Sequence, residues 1–166
     1  MDNMEIEKKW RVAAVPADLD AYESIDMEQA YLNEHPTVRI RRENDRYFLT
    51  YKGMSDNDVS HTEYNLPLTP EAFGHMLPKH DGRIIKKKRY IIPLDIEAEG
   101  VPLKAELDVF DEPFKPLIIV EVEFPSLTAA ETFIPPEWFG EEVTHDRRFK
   151  NAVIAIDPSI DPSEML

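Results

Sequence analysis

The chain is 166 residues long, carries a formal net charge of -14 at pH 7 and contains no cysteine. That length suits one domain with an enclosed core, and the acidity argues against duplex nucleic acid and anionic membrane as partners. Disulfides, thiolate metal sites and cysteine nucleophiles are excluded.

The first seven residues are acidic and polar, with neither a basic leader nor an apolar segment. No apolar run approaches the roughly 20 residues of a membrane helix, so the expectation is a cytoplasmic protein. Residues 4–12 alternate as a strand, with Glu5, Glu7 and Lys9 on one side and Ile6 and Trp10 on the other. Residues 16–22 read as a turn or short helix, 25–32 as a strand, and Asn33-Glu34-His35-Pro36 as a turn. Strands follow at 37–43, 46–53 and 61–68; Glu43-Asn44-Asp45 makes a hairpin of the first two, and 54–60 is a polar, mobile loop. Thr69-Pro70-Glu71 opens a helix, with Thr as cap and Pro in the first position.

Further strands are expected at 83–93, 102–110 and 117–124, with 92–101 forming a hairpin that turns at Gly100. Thr128 and Glu131 fit a capping box that opens a short helix. Residues 144–156 read as a C-terminal helix, and 157–166 as a frayed tail after a domain spanning 1–156. About seven or eight strands joined mostly by short turns favour a mainly β (α+β) fold, an antiparallel sheet closed on itself with peripheral helices.

Inside these strands charged residues recur two apart: Glu5/Glu7, Arg39/Arg41, Lys87/Arg89, Glu106/Asp108 and Glu121/Glu123. Spacing of two puts both side chains on one face. One such doublet means little, because with 31% charged residues about one same-face pair in ten carries two charges by chance. The neighbours on the opposite face decide otherwise, being strongly apolar: Val38/Ile40, Ala105/Leu107/Val109, Val120/Val122. Glu121 and Glu123 stand in the most apolar strand of all. The doublets therefore point into a wet interior, with carboxylates suited to Mg2+ or Mn2+ and guanidinium forks suited to phosphate oxygens.

The ordered series Glu5-Ile6-Glu7-Lys8-Lys9, Arg39-Ile40-Arg41, Lys52, Glu63, Lys87-Lys88-Arg89, Glu106-Leu107-Asp108, Glu121-Val122-Glu123 and Glu142-Val143-Thr144 resembles the CYTH family, the triphosphate tunnel metalloenzymes. The resemblance runs from Glu5 to about Ile156 and is nearest to the inorganic tripolyphosphatases. It implies an eight-stranded antiparallel barrel that hydrolyses a small triphosphate substrate with Mg2+ or Mn2+ at two sites. Carried over residue by residue, Glu5, Glu7, Asp108, Glu121 and Glu123 hold metal. Lys9, Arg39, Arg41, Lys52, Lys87, Arg89 and Arg148 hold phosphates, with Arg147 and Lys150 competing for the place of Arg148. Glu63, Lys52 and Glu106 are the catalytic candidates. Tyr31 matches a recurrent position with no chemical role attached. The run Lys86-Lys87-Lys88 blurs one register, and the family spacing turns Lys87 inward and its neighbours outward.

The alternatives are a class IV adenylate cyclase, a thiamine triphosphatase, a non-catalytic polyphosphate or nucleotide sensor, and an acidic scaffold with all charges outward. The five histidines lack metal-ligand spacing and read as surface or turn residues. The oligomeric expectation is a monomer or homodimer.

Overall fold

The structure, a computed structural model, describes residues 3–53 and 57–166. Nine strands follow in order: β1 (Met4–Val12), β2 (Glu23–Asn33), β3 (Thr37–Glu43), β4 (Arg46–Lys52), β5 (Ser60–Leu68), β6 (Asp81–Ala98), β7 (Val101–Phe110), β8 (Ile118–Glu123) and β9 (Phe139–Glu142). They pair antiparallel in the order β5-β4-β3-β2-β6-β7-β8-β1-β9, and a further β5–β1 pairing closes eight of them into a barrel. β1 makes this possible by changing partner along its length. Met4–Ile6 pair with β5, while Trp10 and Val12 pair with β9.

The register places the charged doublets in rings. Arg39 stands opposite Tyr31 on β2 and Thr50 on β4, Lys52 opposite Glu63, Arg89 opposite Asp108, and Lys9 opposite Glu121. Directly opposed residues of an antiparallel pair share a face, so these side chains all turn inward. The intervening apolar residues turn outward and must be covered. Trp10, Leu107, Val120 and Val122 are covered by α2 (Leu127–Thr132), Phe133 and Phe139. Ile40 and Ala30 are covered by Phe73 of α1 (Pro70–Met76). Each fully buried aliphatic side chain contributes roughly 2 kcal/mol, so most of the apolar stabilisation lies around the barrel instead of within it.

One end differs. There the inward phase itself becomes apolar, at Ile85 and Ile119, and packs on Phe149, Ile154 and Met165 of the C-terminal segment. α3 (Asn151–Ile156) comes so close to the start of β6 that a Cβ on Gly82, whose φ is 63°, would lie 2.1 Å from the Ala155 carbonyl oxygen. Only glycine fits there.

Several expectations need correction. The helix expected at 144–156 is split into a 3-10 turn, Arg147–Phe149, and α3, because the Asp146 carboxylate caps Arg148 N at 3.0 Å and Lys150 is extended. Residues 157–166 do not fray: Met165 is buried and Arg11 donates to the Leu166 carbonyl at 2.9 Å. The cap of α2 is Ser126, accepting from Ala129 N at 3.0 Å, and not Thr128. β9 was not foreseen. The 92–101 segment is the tip of the long β6–β7 hairpin, turning at Gly100. Of the loop expected at 54–60, residues 54–56 lie outside the described residues. Among the described residues no helix is long and apolar enough to cross a membrane.

Candidate active site

The barrel encloses a cavity of about 310 Å³. Glu5, Glu7, Lys9, Arg39, Arg41, Lys52, Glu63, Lys87, Arg89, Glu106, Glu121 and Glu123 all line it. Lys86 and Lys88 point outward at 60% and 46% side-chain exposure against 2% for Lys87, as the family spacing requires. An acidic scaffold with outward charges is excluded by this arrangement.

One wall, built by β1, β5 and β8, is acidic. Lys52 reaches into it from β4, with its ammonium 2.5 Å from Glu5, 3.3 Å from Glu7 and 3.9 Å from Glu63. Burial pulls the Lys52 pKa down, but Glu7 and Glu5 more than reverse this and hold it well above the ordinary value. Lys52 is therefore a permanent cation. Glu123 makes no ion pair among the described residues. Burial and the facing carboxylates of Glu5, Glu106, Glu7 and Glu63 raise its pKa. Three carboxylates thus share one ammonium, and a fourth beside them has no ion pair among the described residues.

That surplus is the test of whether a divalent cation fits. Among the described residues no three acidic or imidazole side chains are gathered tightly enough to ligate an ion as they stand. The donor set is nevertheless all hard oxygen, under-compensated, and already converging on a cation in Lys52, which is what Mg2+ or Mn2+ requires. Glu5, Glu7 and Glu123 fit the group.

Asp108 does not fit, and its assignment as a metal ligand is corrected. It is fully buried, receives Lys87 at 2.5 Å, and is held by Arg89 at 2.7 and 2.8 Å through both carboxylate oxygens. It does not line the cavity. Burial pushes its pKa up, but Arg89 and Lys87 outweigh that and hold it below the ordinary value. Glu121, also counted as a ligand, bridges Lys9 at 3.0 Å and Arg89 at 3.1 Å. Arg89 further pairs with Glu106. Asp108, Lys87, Arg89, Glu106, Glu121 and Lys9 form one ionic network.

The opposite wall, from β2, β3 and β6, is cationic. Arg39 faces the cavity with no carboxylate within ion-pair distance among the described residues; its hydrogen bond to Thr50 is long at 3.5 Å, and its buried Nε has no partner. Arg41 pairs with Glu43 at 2.8 Å. Burial and the neighbouring Arg39 guanidinium nevertheless lower its pKa to about 10. Lys87 is also lowered, by burial first, although Asp108 opposes this. Arg41 and Lys87, the two cations of this wall whose charged forms are disfavoured, suit an anion brought from outside.

A neutral bridge joins the two walls. Thr50 donates to Asn65 at 2.6 Å, and Asn65 donates to Glu63 at 2.7 Å. Burial would raise the Glu63 pKa, but Arg39, Asn65 and Lys52 hold it below the ordinary value. Thr50 and Asn65 were not foreseen, though both stand in phase with the doublets.

Arg148 is corrected. It lies outside the cavity, exposed and paired with Asp146 at 2.6 Å, while Arg147 and Lys150 line the mouth. Lys150 is tied to Asp58 at 2.6 Å, and Arg147 to Glu34 at 3.0 Å. His61, expected on the surface or in a turn, sits on β5 and lines the cavity; burial and Lys52 lower its pKa. Gln29 was also missed, a neutral, fully buried residue that lines the cavity and stands opposite Arg41.

No family model matches the chain. It is 41% identical over 157 residues to an inorganic triphosphatase of Nitrosomonas europaea, covering 92% of this chain and 97% of that protein. It is 32% identical over 161 residues to an inorganic triphosphatase of Acetivibrio thermocellus, covering 93% and 94%. Among solved structures it is similar to the crystal structure of the inorganic triphosphatase NE1496, with a TM-score of 0.66 and 37% identity over 92% of this chain and 94% of that one.

Proposed function

This chain belongs to the inorganic triphosphatase family, the triphosphate tunnel metalloenzymes that its motifs resemble, and we propose that it hydrolyses inorganic tripolyphosphate inside the barrel with the help of Mg2+ or Mn2+. One observation carries the reading: two oppositely charged walls, each under-compensated by the protein, face each other across one cavity. Glu5, Glu7 and Glu63 share Lys52 on one side and Glu123 has no ion pair among the described residues, while on the other side Arg39 has none among them and Arg41 is held at a pKa of about 10. A metal–polyphosphate complex supplies both missing counter-charges.

Phosphoryl transfer requires positioning and charge neutralisation more than covalent chemistry. Arg39, Arg41 and Lys87 would bind phosphate oxygens. Arg89, occupied by three carboxylates, fixes the wall. Glu5, Glu7 and Glu123 would hold the divalent cation, which when bound neutralises phosphate charge and polarises the scissile phosphoryl group. Glu63 remains ionised, so it accepts a hydrogen bond from water and orients it; Glu106 is a second candidate, although Arg89 already engages it. Lys52 stays protonated and acts as a donor. The same reading takes the protein as cytoplasmic, and as a monomer or homodimer.

Phosphate release from tripolyphosphate, ATP and thiamine triphosphate, each with Mg2+ or Mn2+, and cyclic AMP formation from ATP are the test. The expected result is metal-dependent release fastest from tripolyphosphate and no cyclic AMP. Tight binding of tripolyphosphate without any phosphate release would replace the hydrolase with a sensor.

A further inference from the structure

We propose that the outer face of β4 and β5 is the surface through which two copies of this chain form a homodimer. Outward positions alternate from Tyr47 to Tyr51 on β4 and from Thr62 to Leu68 on β5, and none of them is charged, in a chain of which 31% is charged. At one end α1 closes the face: Tyr47 lies 5.2 Å from Phe73, and Leu68 joins the same cluster. At the other end four large apolar side chains stay open, Tyr51 at 41% exposure, Tyr64 at 46%, Leu66 at 55% and Met4 at 47%. They form one patch. Tyr51 and Tyr64 stand directly opposite each other with ring centroids 6.3 Å apart. Leu66 follows Tyr64 in phase, and Met4 pairs with Thr62, the residue before Tyr64 in phase.

The rest of the barrel wall is treated differently. The apolar outer residues of β1, β7 and β8 are covered by α2, Phe133 and Phe139. The outer face of β2 and β6 is charged, with Lys88 reaching Asp26 and Lys86 reaching Glu28, each at 3.7 Å. The patch on β4 and β5 is neither covered nor charged. Its four side chains leave on the order of 350 Å² open. A standard interface takes about 800 Å² from each partner, a little over half of it apolar, so the patch supplies most of the apolar share.

Charge selects the occupant. An anionic membrane would require lysine or arginine on the face, and a charged partner would require an opposite charge to read; the outward positions offer neither. A second copy brings the same uncharged face, and a twofold contact sets that face against itself. Each copy carries a net charge of -14, so two copies repel through most of their surfaces. An uncharged face lets them meet without placing like charges together. Salt screens the long-range repulsion and leaves the apolar contact intact, so association should tighten as salt rises. Contact with an oppositely charged partner would weaken instead.

The test is sedimentation analysis of the whole protein from about 1 to about 100 μM, at low salt and at about 0.5 M. A mass of two chains, with tighter association at the higher salt, is expected. Leu66→Glu and Tyr64→Glu should each weaken association by about a hundredfold or more. Ile134→Glu changes an apolar residue that is 82% exposed on another part of the surface and should leave association within about twofold. A mass of one chain at the highest concentration and salt, a dimer as tight in both glutamate variants, or a dimer lost in Ile134→Glu would overturn the proposal. Oxidative footprinting of the unaltered protein gives a reading that no variant can confound. Met4, Tyr51 and Tyr64 should become protected as concentration rises; a dimer whose formation leaves their oxidation unchanged would put the interface on another face and overturn the assignment.

Discussion

Arg89 and Arg41 are both buried arginines facing the same cavity, yet the protein treats their charges in opposite ways. Arg89 is held by Asp108 through two bonds and by Glu106 and Glu121 as well; burial is the largest single influence and pulls its pKa down, but these carboxylates together outweigh it and hold the pKa well above the ordinary value. Arg41 has Glu43 alone, and burial with the repulsion of Arg39 and Arg89 lowers it to about 10. The charge of Arg89 is consumed by the fold, whereas that of Arg41 is left for something else. A buried cation in a ligand site is thus either structural or functional according to how much carboxylate surrounds it. The difference is set by the β6–β7 register, which places Asp108 directly opposite Arg89.

The largest effect follows from breaking the structural side. Arg89→Met strands Asp108 and Glu106 without their main counter-charge and takes from Glu121 its second, after Lys9. Loss of one partner from a buried ionic group costs about 3–5 kcal/mol, which is roughly 10 °C in Tm for a chain of this size. Thermal unfolding of the protein without ligand reads it. A Tm within two or three degrees of the parent would mean that the network is not holding the barrel.

Breaking the functional side should separate stability from activity. Arg41→Met removes a cation that the folded state disfavours, so Tm without ligand holds or rises. Loss of a charged donor to the transferring phosphoryl group costs about a hundred- to a thousandfold in kcat/KM. If Arg41→Met lost stability as Arg89→Met does, the contrast between the two arginines would collapse.

The contrast was partly legible in the sequence. Period-two charge opposite apolar residues gave the barrel, the inward faces and most of the cavity lining, because strand geometry alone fixes which side chains share a face. It did not distinguish Asp108 from Glu106, or Arg89 from Arg41. Those differences depend on which strand lies next to which, a relation between residues about twenty positions apart. Arg148 was misplaced because a local carboxylate, Asp146, caps the turn and claims the guanidinium. Gln29 and Thr50 carried no charge and so gave no signal in a pattern built from charge. β9 is only four residues long, too short for alternation to show.

A smaller effect is expected from pH. The folded pKa of Arg41 is lowered, so the cost of burying its cation is present in full at neutral pH and is relieved as pH rises through about 10. Stability without ligand should therefore gain from this group above pH 10, while tripolyphosphate, which needs the cation, should lose affinity there. KM is expected to climb by up to about tenfold per pH unit above that point, and calorimetry near pH 10 should show proton uptake on binding. On the opposite wall Glu123 has a raised pKa, so a divalent cation that binds its ionised form should release a proton and weaken as pH falls toward the carboxylate range. A KM that stays flat across pH 10, or that rises equally in Arg41→Met, would assign the titration to another group, with Lys87 the next candidate.

The smallest effect sharpens the comparison from outside the barrel. Lys88 lies between Lys87 and Arg89 in sequence, but its side chain is 46% exposed and reaches only Asp26, at 3.7 Å. A screened surface pair of that length is worth at most about 1 kcal/mol. Lys88→Ala should leave kcat/KM within about twofold and Tm within about two degrees, although it removes the same charge as Lys87→Ala. Lys87 has 2% side-chain exposure and its ammonium rests on Asp108, so its removal should cost both stability and activity. Equal losses from the two lysines would show the strand slipped by one residue, turning Lys86 and Lys88 inward; the assignment of every inward-facing residue on β6 would then have to be reversed.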